Sequence, residues 1–110
     1  MSNYMIKKKN EGQQVDMATG IRRKTLTHGD HTLTCEFHFN QGAVIPSHHH
    51  IFEQTGYLIE GELLFTIDGH EHAVQPGDSW CIKPNVEHSA QVLKDTMLIE
   101  IFSPVREDYL

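Results

Sequence analysis

The sequence predicts an all-β domain, a sandwich or barrel, and three observations lead there. From Ile21 onward, short segments alternate apolar with polar residues, the period of two that a strand with one buried face requires. Turn residues recur between these segments, among them Asn40-Gln41-Gly42, Asp68-Gly69 and Gln75-Pro76-Gly77-Asp78. No stretch holds a helical period for more than two turns. Such spacing corresponds to roughly nine or ten short strands after residue 20 and leaves little room for helix.

Taken in order, residues 1–20 are mostly polar, with Tyr4-Met5-Ile6 as their one apolar run, and read as an N-terminal arm, either mobile or laid as a strand on a partner subunit. The domain proper runs over residues 21–110. Leu33, Cys35, Phe37 and Phe39 alternate with Thr34, Glu36 and His38, which sets four apolar side chains on one sheet face. Strands are expected at 57–60 and 63–67, joined at Glu60-Gly61-Glu62. Asp68-Gly69 is a hairpin turn leading into 70–74, and the strand at 79–82 follows. Lys83-Pro84-Asn85 then turns the chain into strands at 88–93 and 96–102.

A chain of 110 residues builds one core. Its 9 Lys and Arg against 15 Asp and Glu give a net charge of −6, which repels phosphate backbones and anionic lipid surfaces. Nucleic-acid and membrane partners are therefore not expected. No apolar run approaches a membrane span, and Lys7-Lys8-Lys9 is not followed by the apolar stretch of a signal peptide. Cys35 and Cys81 lie in alternating segments without a C-x-x-C pair and read as buried free thiols in a cytoplasmic protein. Exposed sheet edges and the Tyr4-Met5-Ile6 segment invite pairing with a second chain, so a homodimer is expected.

The composition stands out in one respect, its 9 histidines. His48, His50, Phe52 and Gln54 project to the same side of an extended strand, and His49 and Glu53 to the other. His48, His50 and Gln54 can therefore converge, and His88, beyond the turns at Gly77 and Pro84, is the best placed fourth donor. Two neighbouring imidazoles plus two distant donors make a metal site with open positions. Three histidines in a surface loop would be the alternative. His28, His31, His38, His70 and His72 fall in turns or on polar faces and read as solvated.

These residues and their spacing resemble the cupin superfamily of small β-barrels. Gly42, His48, His50 and Gly61 match its first motif, with Gln54 at the acidic position; Gly77 and His88 match its second at the right separation. Pro84, Val86 and Val92 depart from the second motif in its turn rather than at its histidine. The resemblance implies a cupin double-stranded β-helix, or jelly-roll barrel, holding one divalent metal on His48, His50, Gln54 and His88. Three neutral imidazoles and a neutral amide leave the ion its full double charge, and they favour Ni²⁺, Zn²⁺, Fe²⁺, Mn²⁺ or Co²⁺ over Mg²⁺ and Ca²⁺.

The ending Phe102-Ser103-Pro104-Val105-Arg106-Glu107-Asp108-Tyr109-Leu110 is similar to that of the small cupins of pectin and alginate breakdown, which convert 4,5-unsaturated uronates to their linear keto form. Phe102 and Arg106 match the residues of that family held to line the pocket, and Glu100 stands where the family more usually has Asp. The resemblance implies that Glu100, Phe102 and Arg106 serve catalysis. Read from the strand alone, Glu100 points either into the barrel mouth or into water, and Arg106 engages either a substrate carboxylate or a nearby acid. Tyr57 and Trp80 are further candidates for the pocket wall. The expected function is metal-dependent ring opening and keto tautomerisation of a small anionic sugar. A metal-dependent dioxygenase or another lyase, and a non-catalytic sugar- or metal-binding module, are the alternatives.

Overall fold

The computed structural model describes residues 3–110. Eight strands run in chain order among them: β1 (Val15–Ala18), β2 (Ile21–His28), β3 (Leu33–Phe39), β4 (Val44–His48), β5 (Glu53–Ile67), β6 (His70–Val74), β7 (Ser79–Ile82) and β8 (His88–Ser103). A single 3-10 turn, Glu107–Tyr109, ends the chain. Every pairing between strands is antiparallel. Among the described residues no helix is long and apolar enough to cross a membrane.

Two long strands organise the barrel. The first half of β5 pairs with β7 and its second half with β6, while β8 runs alongside β5 for nearly its whole length. The start of β8 pairs with β4 and its end with β3. Both long strands therefore pass from one layer to the other. One layer contains β1, β2, β3, the end of β8, the start of β5 and β7; the other contains β4, the start of β8, the end of β5 and β6. This is the jelly-roll arrangement that the cupin resemblance implies.

The strand count is lower than expected because two expected joints are bulges. At Glu60-Gly61-Glu62 the register against β8 slips without the chain reversing, and Gly61 takes φ +103°, a conformation that disfavours any side chain. The buried Thr96 hydroxyl accepts from the Glu62 N–H at 3.2 Å and donates to the Lys94 carbonyl at 2.8 Å. The same slip carries β8 through 94–96 as one strand. A Cβ on Gly61 would overlap the Thr96 hydroxyl and the Asp95 carbonyl. We expect Gly61→Ala to cost about 2–4 kcal/mol, combining left-handed strain with overpacking, read as a lower urea midpoint at unchanged slope.

The inner faces meet on Leu33, Cys35, Leu58, Leu63, Ile82 and Leu98, all essentially inaccessible to solvent. Alternation along β3 places Leu33, Cys35, Phe37 and Phe39 inside, as the sequence predicts. Cys35 is a buried free thiol, and burial pushes it up to about 11. Cys81 is exposed, contrary to expectation: in β7 it is Trp80 and Ile82 that turn inward, so their neighbour faces water. β1 pairs with β2 at the edge of the sheet.

Candidate metal centre and active site

His48, His50 and His88 come together where β4, β5 and β8 meet. His48 ends β4 and stands directly opposite His88, which opens β8. The segment 48–54 is not the single extended strand expected from its alternation. The chain leaves β4 after His48 and re-enters the sheet at Glu53, so His50 reaches the site from a corner and Gln54 from the next strand. Ring centroids lie 4.2 Å apart for His48 and His88, 5.1 Å for His50 and His88, and 5.6 Å for His48 and His50. Each histidine offers a ring nitrogen, and these three atoms lie within 4.8 Å of one another.

Backbone carbonyls fix which nitrogen is offered. Nδ1 of His48 donates to the Pro46 carbonyl at 2.8 Å, Nδ1 of His50 to Phe52 at 2.9 Å and Nδ1 of His88 to Val86 at 2.8 Å. A carbonyl only accepts, so the proton of each neutral ring sits on Nδ1 and Nε2 carries the lone pair. Burial lowers the pKa of both His50 and His88, which keeps their rings neutral and available as ligands.

Two further observations fit a cation here. His88 Nε2 is buried and has no hydrogen-bond partner. His50 Nε2 faces the Gln54 side-chain oxygen at 2.7 Å, two lone-pair atoms that repel unless a proton or a cation satisfies both. The Gln54 amide nitrogen donates to Glu100 Oε2 at 2.5 Å, which aims its oxygen at His50. Three imidazole nitrogens and an amide oxygen form a donor set suited to a divalent transition metal.

Glu100 is buried, its side chain on the same inward face as Leu98 and Phe102. The sequence left this side open; burial between β3 and β5 decides it, since Glu100 pairs with Cys35 on one side and Gly56 on the other. Gly56 has no side chain, and the Trp80 ring occupies that space, turning its indole N–H towards the carboxyl without closing a hydrogen bond. Burial raises the Glu100 carboxyl to about 8, against the opposing pull of the Trp80 N–H, the Arg106 guanidinium and the Gln54 amide.

In the metal-free protein this shift has a defined sign. A carboxyl with a raised folded pKa favours folding most at low pH, and that contribution is lost as pH rises from 4.5 to about 8. We expect apo protein to lose melting temperature over this interval, and apo Glu100→Gln to lose less. Parallel pH profiles for the two would contradict it.

Arg106 stacks over three rings, with its guanidinium carbon 3.8 Å from the Tyr109 centroid, 4.9 Å from Phe52 and 5.0 Å from Phe102. Asp108 accepts from its Nε at 3.3 Å and its Nη2 at 2.9 Å, and this pairing lowers the Asp108 pKa. Arg106 thus has an acidic partner and also lines the cavity. His48, His50, Gln54, His88, Glu100, Phe102 and Arg106 all line one cavity of about 260 Å³, just under the usual range for small-molecule sites.

Other expectations for this region divide. Tyr57 points outward and is half exposed, because alternation along β5 turns Gln54 and Leu58 inward instead. Trp80 packs against Phe65, with centroids 4.9 Å apart. His28, His31, His70 and His72 are exposed, and His38 pairs with Glu36 at 2.6 Å. Two parts of the wall were missed from sequence. Met17 and Ala18 of β1 line the cavity, with no motif to mark them. Tyr109 also lines it, folded back so that its ring meets Phe37 and Phe102 and its carbonyl accepts from the Thr25 hydroxyl; its place in the C-terminal signature was the available signal.

Comparison with known proteins agrees with this geometry. The family model for the cupin domain matches residues 35–102. Pectin degradation protein KdgF of Dickeya dadantii is 32% identical over 97 residues, covering 86% of this chain and 88% of that protein. The structure of KdgF from Halomonas sp. superposes with a TM-score of 0.93 at 29% identity, covering 98% of this chain and all of that one. An RmlC-like cupin from Shewanella frigidimarina gives 0.92 at 29% identity, covering 98% and 97%. With its jelly-roll layers and its histidines within the matched region, the chain belongs to the cupin family and counts pectin degradation protein KdgF among its relatives.

Proposed function

We propose that the protein is a metal-dependent cupin of pectin breakdown that opens the ring of a 4,5-unsaturated uronate to its linear keto form. The observation that carries this reading is the meeting, in one cavity, of three histidine Nε2 atoms, a buried carboxyl with a raised pKa and an arginine. The relationship to KdgF supports the substrate class. His48, His50, His88 and Gln54 would hold the metal. When bound, a divalent ion on these neutral donors supplies electrophilic stabilisation to an oxygen that gains negative charge.

The reaction is an isomerisation without net redox change. The hemiacetal hydroxyl at C1 loses its proton, the bond from C1 to the ring oxygen breaks, and the ring oxygen takes a proton to become an enol. The enol hydroxyl then gives up its proton while C4 gains one, leaving a ketone at C5. Arg106 engages the substrate carboxylate through the N–H groups that Asp108 leaves free. Glu100, whose carboxyl burial pushes above the usual carboxylate range, gives a proton and takes one back. Phe52, Phe102 and Tyr109 around Arg106 exclude water, which strengthens both interactions.

Incubation with an unsaturated monouronate tests the proposal. Metal-loaded protein should abolish the conjugated ultraviolet absorbance, and chelated protein and Glu100→Ala should not. Equal fading in all three would reject it. A homodimer through the N-terminal arm belongs to the same reading. Tyr4, Met5 and Ile6 are exposed on that arm, as are Val15 and Met17 of β1, and light scattering should give twice 12.6 kDa; a monomer would contradict it.

A further inference from the structure

Arg23 is a cation on the inner face of the barrel that no acidic side chain pairs. In β2 it stands opposite the buried Phe37, so the two side chains share the inward face. Its Nε is buried without a hydrogen-bond partner, and its Nη1 makes only a weak contact to Met17 Sδ at 3.8 Å. The salt bridges among the described residues join His38 to Glu36, Lys94 to Glu62 and Arg106 to Asp108; none includes Arg23.

Its position matters because of what it touches. The Arg23 guanidinium carbon lies 4.1 Å from the Tyr109 ring centroid, and that of Arg106 lies 3.8 Å from the same centroid. Two guanidinium groups therefore converge on one aromatic ring. Tyr109 and Met17, both touched by the Arg23 guanidinium, line the cavity, and Arg23 stands just behind them. Asp108 hydrogen-bonds only one of the two guanidinium groups, occupying Nε and Nη2 of Arg106, and feels the Arg23 charge without a direct contact. The result is a surplus of positive charge beside the cavity in a chain whose net charge is −6. An unpaired, partly desolvated guanidinium is costly unless an anion completes it.

We propose that Arg23 is a second carboxylate-recognising residue, which together with Arg106 draws in and holds the carboxylate of the substrate. The proposal rests on the uronate reading of the site. It concerns the carboxylate of the reacting unit and not that of a following sugar, because ring opening requires a free hydroxyl at C1. Arg23 then overcomes the repulsion between an acidic protein and an anionic ligand, and its fork offers the hydrogen-bonding capacity that Asp108 takes from Arg106.

The test compares Arg23→Met, which keeps an apolar side chain against Tyr109 and removes the charge, with Arg23→Lys, which keeps the charge and removes the fork. Arg23→Met should raise KM about tenfold, the range for losing a charged hydrogen bond, with a much smaller fall in kcat. Arg23→Lys should recover part of the loss. Direct titration of metal-loaded protein with galacturonate, a saturated uronate, should show the same weakening, and titration with neutral galactose should not change. Unchanged KM and galacturonate affinity in Arg23→Met would overturn the proposal, as would equal weakening for galacturonate and galactose, which would indicate that Arg23 only braces Tyr109. If wild-type protein binds galacturonate but turns over no unsaturated uronate, the proposed reaction fails while the binding comparison still decides the role of Arg23.

Discussion

Glu100→Gln should lower kcat by about 10²–10⁴, the range associated with losing a positioned acid or base, while leaving the protein folded. Glutamine has nearly the same shape, so the packing between Cys35 and Gly56 survives, but an amide cannot exchange a proton with the sugar. The neutral amide also avoids an unpaired buried charge. Substrate affinity should change less than kcat, because in this account Arg106 and Arg23 hold the carboxylate and Glu100 acts on the reacting oxygen and carbon. A variant retaining more than a tenth of wild-type kcat would remove Glu100 from the chemistry. Glu100→Asp would then be informative in the opposite sense: it keeps the acid and withdraws it by one methylene, so it should retain more activity than Glu100→Gln.

The second large effect is expected at His88. Its Nε2 is buried without a partner, and its ring is fixed by the Val86 carbonyl, so His88→Ala removes a donor that no neighbour can replace. Metal content should fall from near one ion per chain to a small fraction, and activity by about 10²-fold or more. Chelation of wild-type protein should produce the same loss. Added metal should restore the chelated wild type and leave His88→Ala inactive. Wild-type thermal stability should also rise with metal concentration, since an ion bound only by the folded state stabilises it, and His88→Ala should not respond. Full metal occupancy in His88→Ala would contradict the assigned donor set.

How much of this was legible in the sequence varied with the range of the interactions involved. Strands β3, β6 and β7 have the bounds that alternation and flanking turns predict, because each is short and its register is set locally. The long strands β5 and β8 were divided at Gly61 and near Lys94. A glycine between two acidic residues resembles a turn, and only the opposing strand makes it a bulge. The histidine cluster was visible from spacing, although the assumed strand through residues 48–54 was wrong and a corner brings the rings together.

Direction was harder to read than position. A glutamate on an amphipathic strand fits either face, and the burial of Glu100 depends on Trp80 lying across Gly56, a contact between residues that sequence does not bring together. Cys81 was misread for the same reason: a short apolar segment does not reveal which of its alternate residues turns inward. Arg23 had no local signal at all. Its significance comes from Tyr109, which returns to β2 from the far end of the chain.

The most direct test of the central claim is proton NMR of an unsaturated monouronate incubated in D₂O with metal-loaded protein. The account predicts loss of the vinyl signal at C4 and appearance of a C4 methylene carrying solvent deuterium beside a ketone, faster than in buffer and faster than with chelated protein. A vinyl signal that declines no faster than in buffer alone would contradict it.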